Sequence, residues 1–146
     1  QTNFPKLEFQ KCTNPEDAVN SVDILITTTA SKEAIVKADW ISKGTHITAV
    51  GACTPSMQEH EEAVLSKADS IFADSVEKCI QDGEIHHAIE EVEIKKSDIS
   101  GEIGDVITNN IPGRQHEEEI TFLDLVGLGI QDAIAAEVLY NKSLKK

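Results

Sequence analysis

Val22-Asp23-Ile24-Leu25-Ile26-Thr27-Thr28-Thr29 decides the fold class. The stretch is β-branched, nearly free of charge, and apolar at consecutive rather than alternate positions. A strand of that kind belongs to a sheet covered on both faces, as in parallel α/β folds. The same pattern recurs in His46-Ile47-Thr48-Ala49-Val50, stopped by Gly51, in Ser70-Ile71-Phe72-Ala73-Asp74, and in Ile120-Thr121-Phe122-Leu123-Asp124-Leu125-Val126, stopped by Gly127. Leu7-Glu8-Phe9-Gln10 reads as a further, edge strand.

Helical signals lie between these runs. Asn14-Pro15-Glu16-Asp17 combines a capping side chain, a proline at the first position and acids in the first turn. Helices are expected over 59–68, with Ala63, Val64 and Ala68 inward, over 75–81, ended by Gly83, and over 101–109, before the Pro112-Gly113 turn. A last helix is expected over 130–143. It places Ile130, Ala133, Ile134 and Val138 on one side, and Lys142, Lys145 and Lys146 suit the negative end of its dipole. Strands alternating with helices mean βαβ units and a mostly parallel sheet. Ligands of such sheets bind beyond the carboxyl ends of the strands. Those ends are rich in small or hydroxyl residues, which let a flat ligand approach the backbone.

The 146 residues carry a net charge of -13, which argues against nucleic acid or an anionic membrane as partner, since both demand basic surfaces. No apolar run is long enough to span a bilayer, and no secretory signal is visible. Cys12, Cys53 and Cys79 make no C-x-x-C pair and no zinc pattern. Reduced thiols in a cytoplasmic protein are the simplest reading.

Each chemical motif stands beside a plainer reading. Gly127-Leu128-Gly129-Ile130-Gln131-Asp132 imitates a dinucleotide fingerprint, but Asp132 replaces the third glycine and no second strand comes after it. A tight strand-to-helix turn explains it better. Thr27-Thr28-Thr29 either lines a ligand with hydroxyls or is simply a good strand, and spacing leaves that open. Cys53 sits on a turn after a strand, but no base is placed beside it, so an inert side chain is favoured. The His86/Glu90 and His87/Glu91 pairs have metal-ligand spacing and equally suit a solvated helix face, which is preferred. Glu117-Glu118-Glu119 reads as a surface loop.

Several blocks together resemble the ornithine cyclodeaminase/mu-crystallin family. They are Ala18-Val19 with Val22 through Thr29; Trp40-Ile41-Ser42-Lys43-Gly44-Thr45-His46-Ile47-Thr48-Ala49-Val50-Gly51-Ala52; Pro55-Ser56-Met57-Gln58-Glu59; Gly101-Glu102-Ile103-Gly104-Asp105-Val106-Ile107; and Pro112-Gly113-Arg114 through Glu119-Ile120-Thr121 to Gly127-Leu128-Gly129-Ile130-Gln131-Asp132. The resemblance covers nearly the whole chain. It implies dimeric, two-domain proteins with a Rossmann domain for NAD or NADP and a substrate and dimerisation domain built from the amino-terminal portion plus the last helix. The chain resembles only the carboxyl-terminal part of a member. Residues 1–126 would be the second half of the Rossmann-like domain and 127–146 the helix returning to the other domain, with the glycine-rich loop expected outside this sequence.

The resemblance carries cofactor contacts onto Thr28 and Thr29, onto Val50, Gly51 and Ala52, and onto Gly127 and Leu128. It assigns no catalytic residue and no metal. Cyclodeaminases hold an aspartate at the position of Cys53, as acid/base for ring closure and ammonia loss. A thiol, with an ordinary pKa of about 8.5, cannot replace it in the same way, and mu-crystallin-like members carry a serine there. Members also tend to place serine or threonine just before the closing glycine, where this chain has Leu125-Val126.

The expectation is therefore a fragment of an NAD(P)-dependent enzyme of amino or imino acids, of the ketimine reductase, amino-acid dehydrogenase or cyclodeaminase type. The Cys53 departure shifts weight from the last to the first two. Its partners would be a small amino or imino acid and a second copy of the protein. The competing expectation is a non-catalytic truncated chain or binding module, since no Gly-x-Gly-x-x-Gly occurs in these residues. A half sheet with an unpaired edge is also expected to self-associate or to fold only marginally.

Overall fold

The apolar runs become strands of one parallel sheet. The structure, a computed structural model, describes residues 6–144. Strands β1 (Ile24–Thr27), β2 (His46–Ala49), β3 (Ser70–Ala73), β4 (Ile99–Glu102) and β5 (Thr121–Asp124) form a five-stranded sheet in the order β1-β2-β5-β3-β4, with every pairing parallel. The helices are α1 (Pro15–Val19), α2 (Ala63–Lys67), α3 (Val76–Cys79), α4 (Gly83–Glu90), α5 (Ile103–Ile107) and α6 (Gly129–Ser143). The expected α/β class is thus what the chain adopts, with α6 as its carboxyl-terminal helix.

Helix α1 starts as its sequence dictates: the Asn14 side-chain oxygen accepts from the Glu16 amide at 3.0 Å, and Pro15 occupies the first turn. The core lies on one side of the sheet. Ile47 and Phe122 are opposite each other in the β2–β5 register and are fully buried. They cluster with Val64 and Leu65 of α2 and with Ile85 and Ala88 of α4. Removing a buried aromatic such as Phe122 typically costs about 3–5 kcal/mol, so this cluster dominates the energetics of the sheet.

Several expectations are corrected. Residues 7–10 form no strand; Leu7 and Phe9 are exposed, and among the described residues no neighbour supplies a ladder. The helix expected over 101–109 begins only at Ile103, because Ile99–Glu102 pairs with β3 across an irregular register at Ile71/Phe72. Pairing to an existing strand overrides weak helical propensity there. The helix expected over 59–68 begins at Ala63, since Glu59 to Glu61 lie outside it, His60 bridges to Val36, and Glu62, already in helical backbone conformation, is its N-cap. Gly83 does not merely end a helix but opens α4, whose Glu84, Ile85 and Ala88 are buried. His86 and His87 are half-buried while Glu90 and Glu91 are exposed, with Glu91 just past the helix, so α4 packs one side and keeps its acids in solvent.

The sheet is also not covered on both faces throughout. Helix α5 and the Gly113-Arg114 turn cover Phe72 and Thr121 on the side away from the core. Strand β1 lies at the sheet edge with Ile24 and Ile26 63% and 62% exposed on that same side. Along α6, Ile130, Ile134 and Val138 are exposed as well. Lys142 stands in the last turn as expected, while Lys145 and Lys146 lie outside the described residues. Among the described residues no helix is long and apolar enough to cross a membrane.

Contiguous exposed apolar surface and an open strand edge drive association. These residues, expressed by themselves, are expected to sediment as dimers or larger species, and Ile26→Lys combined with Ile134→Lys should shift them towards monomer. A wild-type chain that stays monomeric across the micromolar range, with a cooperative melt, contradicts this.

Candidate functional site

The strand register places the candidate residues along one rim. Thr27, Ala49 and Asp124 are neighbours across β1, β2 and β5, and Ala73 pairs with Asp124 on the other side. The residues just past each strand therefore share the carboxyl edge of the sheet. Among the three threonines only Thr28 and Thr29 reach the surface; Thr27 is buried, with its hydroxyl unpartnered among the described residues. The Thr29 hydroxyl accepts from the Ser31 amide at 3.3 Å. Val50 is 39% exposed and its amide donates to the Thr27 carbonyl at 3.0 Å. Ala52 is buried. Gly127 is exposed, and a Cβ there would meet open space. Its amide donates to Asp74 at 2.8 Å, and Leu128 is half-buried beside it.

Beneath that rim lies what the sequence pattern does not reveal. Glu59 is fully buried, and its carboxylate accepts from the Thr29 amide at 2.5 Å and from the Gly51 amide at 2.9 Å. One side chain thus ties the turn after β1 to the turn after β2. Gly51 has to be glycine: a Cβ would sit 2.1 Å from the Thr29 carbonyl oxygen and 2.6 Å from the Glu59 carboxyl carbon. Glu59 is itself held from below. Glu84, at the start of α4, accepts from the Glu59 amide at 2.7 Å and from the His60 amide at 3.2 Å. His60 is fully buried, edge-on to Phe122, with Nδ1 3.5 Å from Glu84. Buried carboxylates that accept several backbone N–H groups make strong, directional bonds, and losing one partner of such a bond costs more than the bond contributes. Glu59 stood in the sequence as the first residue of an expected helix. Its place at the end of the Pro55–Glu59 resemblance block was the one available signal.

Asp124 completes the arrangement. It is fully buried at the end of β5 and accepts from the Ile85 amide at 2.9 Å, capping α4, whose own N-cap residue Asp82 makes no side-chain bond. Gly83 leaves it room: its φ is +82°, and a Cβ would come 3.0 Å from the Asp124 carboxylate. Burial pushes the Asp124 pKa well above the ordinary carboxyl value, and neighbouring Glu84 and Asp74 push it the same way. The buried Cys79 thiol is pushed up first by burial and then by Asp124 and Asp74, which makes it inert.

The remaining sequence candidates stay apart from this rim chemistry. Cys53 is exposed on the turn after β2. His46 bonds instead to Thr121 at 2.7 Å and to Thr48 at 3.1 Å, and burial and then Arg114 lower its pKa. Among the described residues neither His46 nor His60 hydrogen-bonds to Cys53. His86 and His87 meet the carbonyls of Ile80 and Met57, and no metal-binding group of three side chains exists among the described residues. An open depression of about 600 Å3 lies at the opposite, amino ends of the strands, lined by Lys43, Lys67, Asp69 and Glu118 among others. Its Lys67 ammonium donates to the carbonyls of Ala38 and Ile41 rather than facing a ligand.

The sequence model of the ornithine cyclodeaminase/mu-crystallin family matches residues 1–146. An alanine dehydrogenase of Archaeoglobus fulgidus is 41% identical over 132 residues, covering 90% of this chain and 41% of its own. A solved archaeal alanine dehydrogenase dimer with bound NAD superposes with a TM-score of 0.85 at 41% identity, over 91% of this chain and 41% of that one. The Delta(1)-pyrroline-2-carboxylate reductase of Thermococcus litoralis, solved with NADH and L-proline, superposes with a TM-score of 0.86 at 32% identity, over 90% and 41%. The chain therefore spans about 41% of the length of the relatives it matches.

The raised pKa of Asp124 has a signed consequence. Its folded-state pKa lies above the unfolded value, so its contribution to stability is full below the ordinary carboxyl pKa of 3.8 and is lost as pH rises towards the folded value. Asp124→Asn keeps an acceptor for the Ile85 amide and removes that loss. The melting temperature of the variant relative to wild type should rise progressively as pH is raised above the ordinary carboxyl value of 3.8. A difference that stays flat with pH, or that falls, contradicts the assignment.

Proposed function

Because the chain belongs to the ornithine cyclodeaminase/mu-crystallin family, we propose that it is part of an NAD(P)-dependent enzyme of amino or imino acids and supplies the nicotinamide side of its cofactor site. The observation that carries this reading is the rim itself: Thr28, Thr29, Val50 and Gly51 follow the neighbouring strands β1 and β2, and Gly127 follows β5, at the carboxyl edge of a parallel sheet, the edge where such sheets bind ligands. The donor set suits a flat ring bearing a carboxamide. Thr28 offers an exposed hydroxyl, Val50 an exposed apolar side chain, and Gly127 an open position with space above it. Ala52 and Leu128, next along the chain from Gly51 and Gly127, complete the set that the family resemblance assigns to the cofactor.

A bound nicotinamide supplies hydride transfer to or from the carbon that carries nitrogen. The residues here bind and orient. The threonine hydroxyls and strand-end backbone fix the ring edge, Val50 gives it an apolar wall, and the Gly127-Leu128 turn leads into α6. Residues 1–126 act in this reading as the cofactor-domain half and 127–146 as the segment that returns to a second domain, against which α6 lays Ile130, Ile134 and Val138. A second copy of the protein and a small amino or imino acid are the proposed partners.

Cys53 favours one reaction type over another. A thiol on an exposed turn, without a partnered base, suits no acid/base role in ring closure, so reductive chemistry on an imine is preferred to cyclodeamination. The similarity to an alanine dehydrogenase and a pyrroline-2-carboxylate reductase supports that preference. A second reading rests on one observation: these residues contain no Gly-x-Gly-x-x-Gly, so by themselves they do not close a dinucleotide site.

The test is made on the full-length protein containing this chain. It should bind NADH or NADPH at micromolar concentration and oxidise it with cyclic imino acids, or with 2-oxo acids plus ammonia, at least tenfold faster than it releases ammonia from ornithine. Absence of binding up to millimolar cofactor contradicts the proposal. Efficient ammonia release from ornithine would reinstate the cyclodeaminase type.

A further inference from the structure

We propose that Glu59 is a positioning residue that sets the spacing of the Thr29 and Gly51 turns, and hence the grip on the nicotinamide end of the cofactor. The inference deepens the cofactor site proposed above and rests on that reading. Nothing in the chemistry of the rim requires a buried acid. A carboxylate is nevertheless enclosed there at 0% exposure, with each of its oxygens accepting one strand-end amide. Those amides belong to the turns after β1 and β2, just past the paired residues Thr27 and Ala49. Beyond the last ladder bond, parallel strands are free to splay. Glu59 extends the cross-link past that point by joining the two turns through one rigid group.

The anchor is stacked. Glu84 accepts from the amides of Glu59 and His60 and so fixes the backbone from which the Glu59 side chain projects. Asp124 accepts from the Ile85 amide and fixes the start of the helix that carries Glu84. The chain of bonds therefore runs from the end of β5, through α4, to the turns after β1 and β2. A change of charge or shape at Glu59 is felt at two turns at once, and both lie on the side of the rim assigned to the nicotinamide. The pyrophosphate of a dinucleotide is held by a glycine-rich loop, which these residues do not contain, and the adenosine ribose by an acidic residue that follows that loop.

That geometry separates positioning from plain stability. In the full-length protein, Glu59→Gln keeps the size of the side chain but turns one acceptor into a donor that opposes a backbone N–H. Its dissociation constant for NADH, or for NADPH if wild type prefers it, should rise about tenfold or more. Binding of ADP-ribose, or of its 2′-phosphate, which lacks the nicotinamide, should change by less than about twofold. Glu59→Asp retains both acceptor oxygens on a shorter stem, so it should recover part of the selectivity for the whole cofactor over ADP-ribose. It also serves as the readout if the glutamine variant does not fold. Equal weakening of both ligands, or unchanged NADH binding in a folded variant, overturns the positioning role. Wild-type protein that binds neither dinucleotide overturns the cofactor reading itself, an outcome distinct from either.

Discussion

The acceptance of two strand-end amides by the buried Glu59 carboxylate is the contact on which the candidate site depends. The ladder registers of β1 and β2 stop at Thr27 and Ala49, and the turn after each strand has to be placed by something else. Here it is placed by acids. Glu59 joins the turns after β1 and β2, Glu84 holds the backbone of Glu59, Asp124 holds the start of α4, and Asp74 holds the amide of Gly127. All four carboxylates are 6% exposed or less. Buried charge of one sign is unfavourable unless each group is met by donors. Backbone amides meet it here, and the one carboxyl with an unpartnered oxygen among the described residues, Asp124, is also the one whose pKa burial drives upward.

That arrangement constrains the sequence in ways that pattern alone does not reveal. Gly51 and Gly83 are glycine because a Cβ would run into Thr29 and Glu59 in one case, and into Val126 and Asp124 in the other. The apolar runs of β1, β2, β3 and β5 were legible because burial demands them. The Asn14-Pro15 helix start was legible because its cap is local. Strand β4 was not, since Ile99-Ser100-Gly101-Glu102 becomes a strand only through its pairing with β3. The solvent side of Ile24 and Ile26 was not either, because consecutive apolar residues suggest cover on both faces without saying what provides it. Glu59 and Glu84 escaped because a glutamate in a charged stretch reads as surface until tertiary contacts show otherwise.

The functional picture joins these levels. A parallel sheet presents its strand ends on one edge, small and hydroxyl residues line that edge, and the acids beneath it accept the amides of its turns. The threonine run, ambiguous in sequence, divides in the structure: Thr27 belongs to the core and Thr28 and Thr29 to the rim. Cys53 stands exposed on the turn after β2. The chain spans about 41% of the length of the relatives it matches, and it leaves Ile24 and Ile26 of β1 and Ile130, Ile134 and Val138 of α6 exposed.

Native-state hydrogen exchange at two amides tests the central claim most directly. If Glu59 clamps the strand ends, the Thr29 and Gly51 amides exchange as slowly as the Leu125 amide, which is bonded to Ala49 at 2.9 Å inside the sheet. Exchange of Thr29 and Gly51 at the rate of exposed loop amides such as Thr54, with Leu125 still protected, would contradict the account.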